Sequence, residues 1–472
     1  MTPANNVDEL KGAIAGTLAL GHDSVKIINQ KALRESVIDK LAWTVAFSAS
    51  EEARSVASWI IRLLAKVSGN GPSSINGVYL ARGRGEINNS FTVPAINIRA
   101  MAYDFARAVF RAVKRHEAGA VICEIARSEM GYTKQPPQEY TSSILAGAIK
   151  ESYPWPVFIQ GDHFQVNAKN YAADPAKEMD GLKKLISQSI DAGFFNIDLD
   201  TSTLVDLNKG DLDAQQSLNY KVCAELTSYI REKQGNAEVS VGGEIGEVGA
   251  KNSTIEDLDA FMNGYRKSLK GGIGGISKIS VQTGTTHGGV VLPDGTMAKV
   301  KVDFETLKKL SEAARSKYGM GGAVQHGAST LPVEMFDQFP KIGTCEIHLA
   351  TEFQNMIFEH PKFPADLKTE VYAYLTKECA NERKAGESDS QFFYKTRKKA
   401  VGAFKTQMWS LPDGVREEMM KSIEQKVELL ISKLNTRGTG PLIKPHVKMT
   451  DVQLPEPKAG GVSVVEKFEG AD

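Results

Sequence analysis

The chain has 472 residues, and Lys+Arg and Asp+Glu both number 57, so no net charge draws it to nucleic acid or an acidic membrane surface. Its length exceeds one minimal core and calls for a large domain with additions. The four cysteines, Cys123, Cys223, Cys345 and Cys379, lie far apart and form no CxxC pair, so neither a zinc ribbon nor a disulfide framework is indicated.

In chain order, residues 1–85 read as a helical extension, with one-sided apolar spacing in 37–45 and 56–64. A Gly/Pro/Ser-rich loop follows at 68–74. From about 90 the pattern changes to short β-rich runs at 91–98, 120–126, 156–161, 194–198, 238–243, 278–283, 322–325 and 344–349. Between them the spacing predicts helices, among them 101–116, 179–192, 214–233 and 304–316. Alternation of this kind over 86–358 has the size and order of a (β/α)8 TIM barrel, an α/β fold. Helices are expected again at 367–381, 391–409 and 414–434, giving a C-terminal helical appendage over 359–440. A Gly/Pro/Lys-rich tail, 441–472, reads as extended.

A barrel carries its chemistry at the C-terminal ends of its strands, and here the polar residues fall there. The first strand ends in Asn97 and the second leads to Ser128. The third gives Asp162-His163, the fourth Asp198, the fifth Glu244. The sixth and seventh give His287 and His326, and the eighth His348, Ala350 and Thr351. Of only 8 histidines, three stand at strand ends beside glycine or a carboxylate: His163, His287 and His326. Three imidazoles gathered from distant positions, with a fourth position open, suit a catalytic zinc rather than a structural one. Asp162 beside such a site serves either proton transfer or the orientation of an imidazole, and proton transfer is favoured. Asp198 and Glu244 could orient ligand histidines, bind a second metal or a monovalent cation, or form a salt bridge over the barrel. Gly288, Gly327, Ser329, Ala350 and Thr351 supply small residues and hydroxyls where barrels grip phosphate. Lys278 offers a competing chemistry, a Schiff base, but sits well before the strand end.

These motifs resemble the class II, metal-dependent fructose-bisphosphate and tagatose-bisphosphate aldolase family. The resemblance runs in order through Val93-Pro-Ala-Ile-Asn97, Ser128-Glu129, Gly161-Asp-His163, Ile197-Asp198, Glu244-Ile-Gly246, Gly284-Thr-Thr-His287-Gly288, Val324-Gln-His326-Gly-Ala-Ser329 and Ile347-His-Leu-Ala-Thr-Glu352. It implies that His163, His287 and His326 bind zinc and that Asp162 moves the proton of the bond being broken or made. It also implies that Glu244 is an acid near the metal, that Asp198 holds a structural cation, and that Gly288, Ser329 and Thr351 hold a substrate phosphate. The activity implied is cleavage or formation of a C–C bond in a phosphorylated ketose through a zinc-stabilised enediolate, a lyase reaction of carbohydrate metabolism such as glycolysis. Three departures stand out. His348 replaces the family's Asn, Ala328 replaces its second glycine, and the acid tied to enediolate protonation is displaced, with Asn252 near its place and Glu247 and Glu256 as substitutes. These leave two other readings, an aldolase for a different anionic ketose and a non-catalytic sugar-phosphate-binding barrel.

No apolar stretch is long enough to span a bilayer, and the start MTPANNVDEL has no apolar signal core. A cytoplasmic enzyme acting on a small-molecule ketose phosphate, without nucleic-acid or membrane partners, is the expectation. Amphipathic helices at both ends suggest a homo-oligomer, dimer or tetramer.

Overall fold

The structure is a computed structural model and describes residues 1–246, 251–285, 301–449, 454, 456 and 457. Eight parallel strands close on themselves: β1 (Val93–Asn97), β2 (Ile122–Ala126), β3 (Val157–Gln165), β4 (Asn196–Asp200), β5 (Ser240–Glu244), β6 (Lys278–Val281), β7 (Ala323–Gln325) and β8 (Glu346–Leu349). Every neighbour pairs in sequence order, and β8 returns to β1 with Glu346 opposite Val93 and His348 opposite Ala95. The TIM barrel read from the alternation is therefore the fold. Almost every strand residue is buried, because helices coat the outer face and side chains fill the inner one.

The barrel helices begin and end where the sequence supplies caps. Asp174 caps Pro175–Ala192 by accepting from the Lys177 N–H, and Gly193, at φ 105°, ends it in a left-handed turn. Thr254 and Asp257 form a reciprocal capping box on Ile255–Ser268.

The first 85 residues are not helical throughout. Leu18–Leu20 and Val25–Ile27 form an antiparallel hairpin closed by Gly21 N–H donating to Ser24 O at 2.8 Å. The two strands are as short as β7 (Ala323–Gln325) but stand outside the strand–helix alternation that marks β7 in the sequence. The helix Glu51–Ser68 packs on Pro137–Lys150, with Ser142 Oγ donating to Ser58 Oγ at 2.8 Å. Pro72–Ser73 then adds to the start of β3, and the helix Asn76–Gly83 sends Tyr79 into the amino end of the barrel. Its hydroxyl donates to Glu346, the first residue of β8. The extension thus closes the barrel at the end opposite the chemistry.

After β8 the chain folds back along the same flank. Trp409 is buried between Trp43 and Phe47 of the N-terminal segment, with ring centroids 5.8 and 5.1 Å away. The helix Asp413–Lys433 lies on Ala102–Arg115, where Arg111 meets Glu424 at 2.6 Å. The helix expected over 391–409 is broken into Asp389–Thr396, a 3₁₀ turn at Arg397–Ala400, and Lys405–Trp409. Gly402 explains the break. Its N–H donates to Tyr132 O at 3.0 Å, and a Cβ there would lie 2.3 Å from that oxygen. Thr439–Ile443 forms one more helical turn before Met449 bridges Ser73 at the barrel floor. Among the described residues, no helix is long and apolar enough to cross a membrane.

Candidate metal centre

The carboxyl ends of β3, β4, β5, β7 and β8 bring their polar side chains to one buried place. The approach of β3 is irregular: its register with β4 shifts between Gly161 and Phe164, and His163 takes φ 39°. That left-handed conformation is strained for a non-glycine residue. Gly161 makes the turn possible, since a Cβ there would meet the Phe164 ring at 2.4 Å. The bulge breaks simple alternation, so consecutive Asp162 and His163 both face the mouth.

His163 Nδ1 lies 3.0 Å from Asp200 Oδ2 and 3.6 Å from Glu244 Oε2. Its Nε2 lies 3.9 Å from Asp162 Oδ1, and His326 Nε2 approaches the same oxygen at 3.6 Å. Behind His326, Nδ1 faces Glu244 Oε1 at 3.8 Å. Both imidazoles therefore turn Nε2 toward Asp162 and Nδ1 toward a carboxylate. Ligand atoms of Asp162, His163 and His326 fall within 4.8 Å of one another. Borderline nitrogen donors with a carboxylate, each imidazole backed by a further carboxylate, fit a divalent cation such as zinc. His287 and Gly288 lie outside the described residues.

The electrostatics follow from burial. Although burial works the other way, His163 and His348 beside Asp162 hold its carboxyl well below the usual range. Against the same burial, the hydrogen bond from His163 holds Asp200 down to about 2. Burial, with Asp162 close by, pushes Glu124 up to about 7. In the metal-free protein, Asp162 raises the imidazole of His163 well above its ordinary value, against burial. A proton and a cation thus compete for the same nitrogens.

Asp198 sits lower and elsewhere. Its Oδ2 accepts from Lys278 Nζ at 2.9 Å, and the residue that touches His163 is Asp200, two positions on. Gly242 makes the room, because a Cβ there would meet Asp198 Oδ1 at 2.4 Å and Lys278 Cε at 3.0 Å. Lys278 Nζ also donates to Gln160 Oε1 at 2.8 Å and to Glu346 Oε1 at 2.5 Å. Burial would discharge this lysine, but Asp198 and Glu346 hold its proton far more tightly than usual. A Schiff-base lysine needs the opposite, an amine that deprotonates readily.

The other rim residues divide. Asn97 Nδ2 donates to Glu129 Oε2 at 2.6 Å, and Arg99 pairs with the same carboxylate, so Asn97 ties β1 to the helix that carries Ser128. Ser329 Oγ accepts from the Ala350 N–H at 2.6 Å, which joins the loops after β7 and β8. Gly327 takes φ 70°, and Thr351 starts the helix Thr351–Phe358. His348 lies among the acids, with Nδ1 3.0 Å from Glu124 Oε2 and 3.1 Å from Asp162 Oδ1.

Glu124, Gln160, Asp200 and Glu346 did not figure among the sequence candidates. Asp200 follows Asp198, and Glu346 precedes His348, by two residues, so period-two alternation puts each pair on one face. That signal was available in the sequence.

A family model described as fructose-bisphosphate aldolase, class II, matches residues 87–434. Among solved structures, a probable tagatose 6 phosphate kinase from Sinorhizobium meliloti 1021 shares 17% identity with TM-score 0.50, covering 75% of this chain and 99% of that one. The fructose-bisphosphate aldolase of Campylobacter jejuni shares 18% with TM-score 0.47, covering 78% and 97%. A putative fructose-1,6-biphosphate aldolase from Coccidioides immitis shares 18% with TM-score 0.45, covering 77% and 96%.

Proposed function

The chain belongs to the class II fructose-bisphosphate aldolase family, and from that premise we propose that it is a zinc-dependent lyase that cleaves or forms a C–C bond of a phosphorylated ketose. One observation carries the reading: Asp162 Oδ1 faces the Nε2 atoms of both His163 and His326 at 3.9 and 3.6 Å, and Asp200 and Glu244 stand behind the imidazoles.

His163 and His326, with His287 as the third imidazole, would hold the cation. When bound, the cation supplies Lewis-acid charge that stabilises the negative charge left on the ketone half as the bond breaks. Asp200 accepts the Nδ1–H of His163 and so fixes its tautomer, which leaves Nε2 for the metal. Glu244 orients both imidazoles from behind. Asp162, kept ionised by its surroundings, takes the proton from the substrate hydroxyl next to the breaking bond and returns it during condensation. Gly327, Ser329 and Thr351, on the loops joined by the Ser329–Ala350 hydrogen bond, would hold the substrate phosphate together with Gly288. A barrel that only binds sugar phosphate has no use for a proton carrier at this place.

Dihydroxyacetone phosphate in deuterated water separates the two readings. The wild-type protein is expected to exchange one carbon-bound proton, seen as loss of its NMR signal, without any aldehyde present. A chelator is expected to stop the exchange. Binding of the phosphate without exchange contradicts the proposal.

A further inference from the structure

A line of buried side chains runs through the barrel from Tyr79, on the N-terminal extension, to the Asp162 carboxylate at the opposite end. We infer that Tyr79 and Glu346 are positioning residues for Asp162 and act on it through the imidazole of His348. The inference rests on the proton-transfer role proposed for Asp162 and goes beyond it, because it gives the N-terminal extension a part in the reaction.

Tyr79 is 0% exposed, and its hydroxyl donates to Glu346 Oε2. The other oxygen, Oε1, accepts from Lys278 Nζ at 2.5 Å and from Gln160 Nε2 at 2.9 Å, and lies 2.8 Å from His348 Nε2. The terminal torsion of a glutamate is soft, so a donor on each oxygen is what sets its direction. Across the ring, His348 Nδ1 lies 3.1 Å from Asp162 Oδ1 and 3.0 Å from Glu124 Oε2, and one Nδ1–H can serve only one of them. Gln160 Nε2 already donates to Glu124 Oε2 at 3.0 Å. Asp162 Oδ1 is buried and, among the described residues, has no hydrogen bond of good geometry. A buried acceptor in that state takes the nearest proton, and Nδ1 of His348 is closer to it than Nε2 of His326 at 3.6 Å or of His163 at 3.9 Å.

A loaded metal centre makes this contact matter more. Nε2 is the nitrogen that His163 and His326 would turn to a cation, and a ligating nitrogen has no proton to give. Of the three described imidazoles around Asp162, His348 then keeps an N–H for Oδ1. Holding one oxygen of a planar carboxylate fixes the direction of the other, and a base misplaced by about 1 Å can lose on the order of 10²-fold in rate. The ring of His348 is itself held on both sides. Glu346 takes its Nε2 edge, and the His326 ring packs against it with centroids 4.1 Å apart and planes at 70°. Tyr79 thus reaches the base without touching the site, by setting the carboxylate that sets the imidazole.

The test uses full-length protein and two readouts. In protein with 15N-labelled histidine, the ring signals of His348, assigned by their loss in His348→Asn, are expected to move in Tyr79→Phe. In cleavage of fructose 1,6-bisphosphate, Tyr79→Phe is expected to lower kcat by roughly 2- to 30-fold with KM unchanged. The same change made in His348→Asn, whose amide ends short of the place of Nε2, is expected to add no further loss. Unmoved ring signals, an equal loss of kcat in both backgrounds, or a change confined to KM overturns the inference. A wild-type protein that cleaves neither this nor any other ketose phosphate overturns the aldolase reading instead, and the ring signals still decide whether Tyr79 acts on His348, so the two failures are told apart.

Discussion

Asp162→Asn is expected to lower kcat for ketose-phosphate cleavage by roughly 10²- to 10⁴-fold, the usual contribution of a positioned proton-transfer group. The amide keeps the size of the carboxylate and an oxygen toward His163 and His326, but it can no longer accept a proton. Its effect is therefore on kcat, with KM changed little, because a group that works mainly in the transition state adds little to ground-state binding. Steady-state kinetics with metal content measured on the same sample gives the answer. A variant that retains its metal and cleaves within about 3-fold of wild type would place the base elsewhere, since proton transfer accounts for far more.

The second large effect is on stability. Lys278→Met is expected to destabilise the protein by about 3–5 kcal/mol, the range for removing one partner of a buried ion pair. Lys278 is 1% exposed and donates to Gln160, Asp198 and Glu346. Without it two carboxylates remain buried side by side, and Glu346 keeps only Gln160, His348 and the Tyr79 hydroxyl close by. Equilibrium unfolding in urea measures the loss. Adding Glu346→Gln to Lys278→Met is expected to recover part of it, because that variant removes one of the stranded charges. A loss below about 1 kcal/mol would mean that the network is not the clamp its geometry implies. Borohydride is expected to trap no substrate on wild-type Lys278, since a tightly protonated, fully hydrogen-bonded amine is no nucleophile.

Sequence and structure agree most closely where periodicity is strong. The eight strand runs and the four named barrel helices were legible because short β-rich runs recur in regular alternation with longer, one-sided helical segments. The positions of His163 and His326 at strand ends were legible for the same reason: once the strands are placed, the barrel fixes which ends carry chemistry. What stayed hidden is the layer below. Tyr79, Gln160, Asp198, Lys278 and Glu346 meet only through closure of the barrel, and their sequence separations carry no local pattern. Asp198 and Asp200 show the limit of alternation. It puts both on the inner face, but only the tertiary level decides that the first pairs with Lys278 and the second with His163. The hairpin at 18–27 and the break at Gly402 were lost for separate reasons, short strands that stand outside the strand–helix alternation and a glycine whose use lies in a distant backbone.

The most direct measurement is cleavage of a panel of ketose mono- and bisphosphates by the zinc-loaded protein, with and without a chelator, beside His326→Ala. The account predicts cleavage of at least one sugar, abolished by the chelator, restored by Zn2+ and absent in the variant. Cleavage that survives complete removal of metal, or a zinc-loaded protein that cleaves no member of the panel, would contradict it.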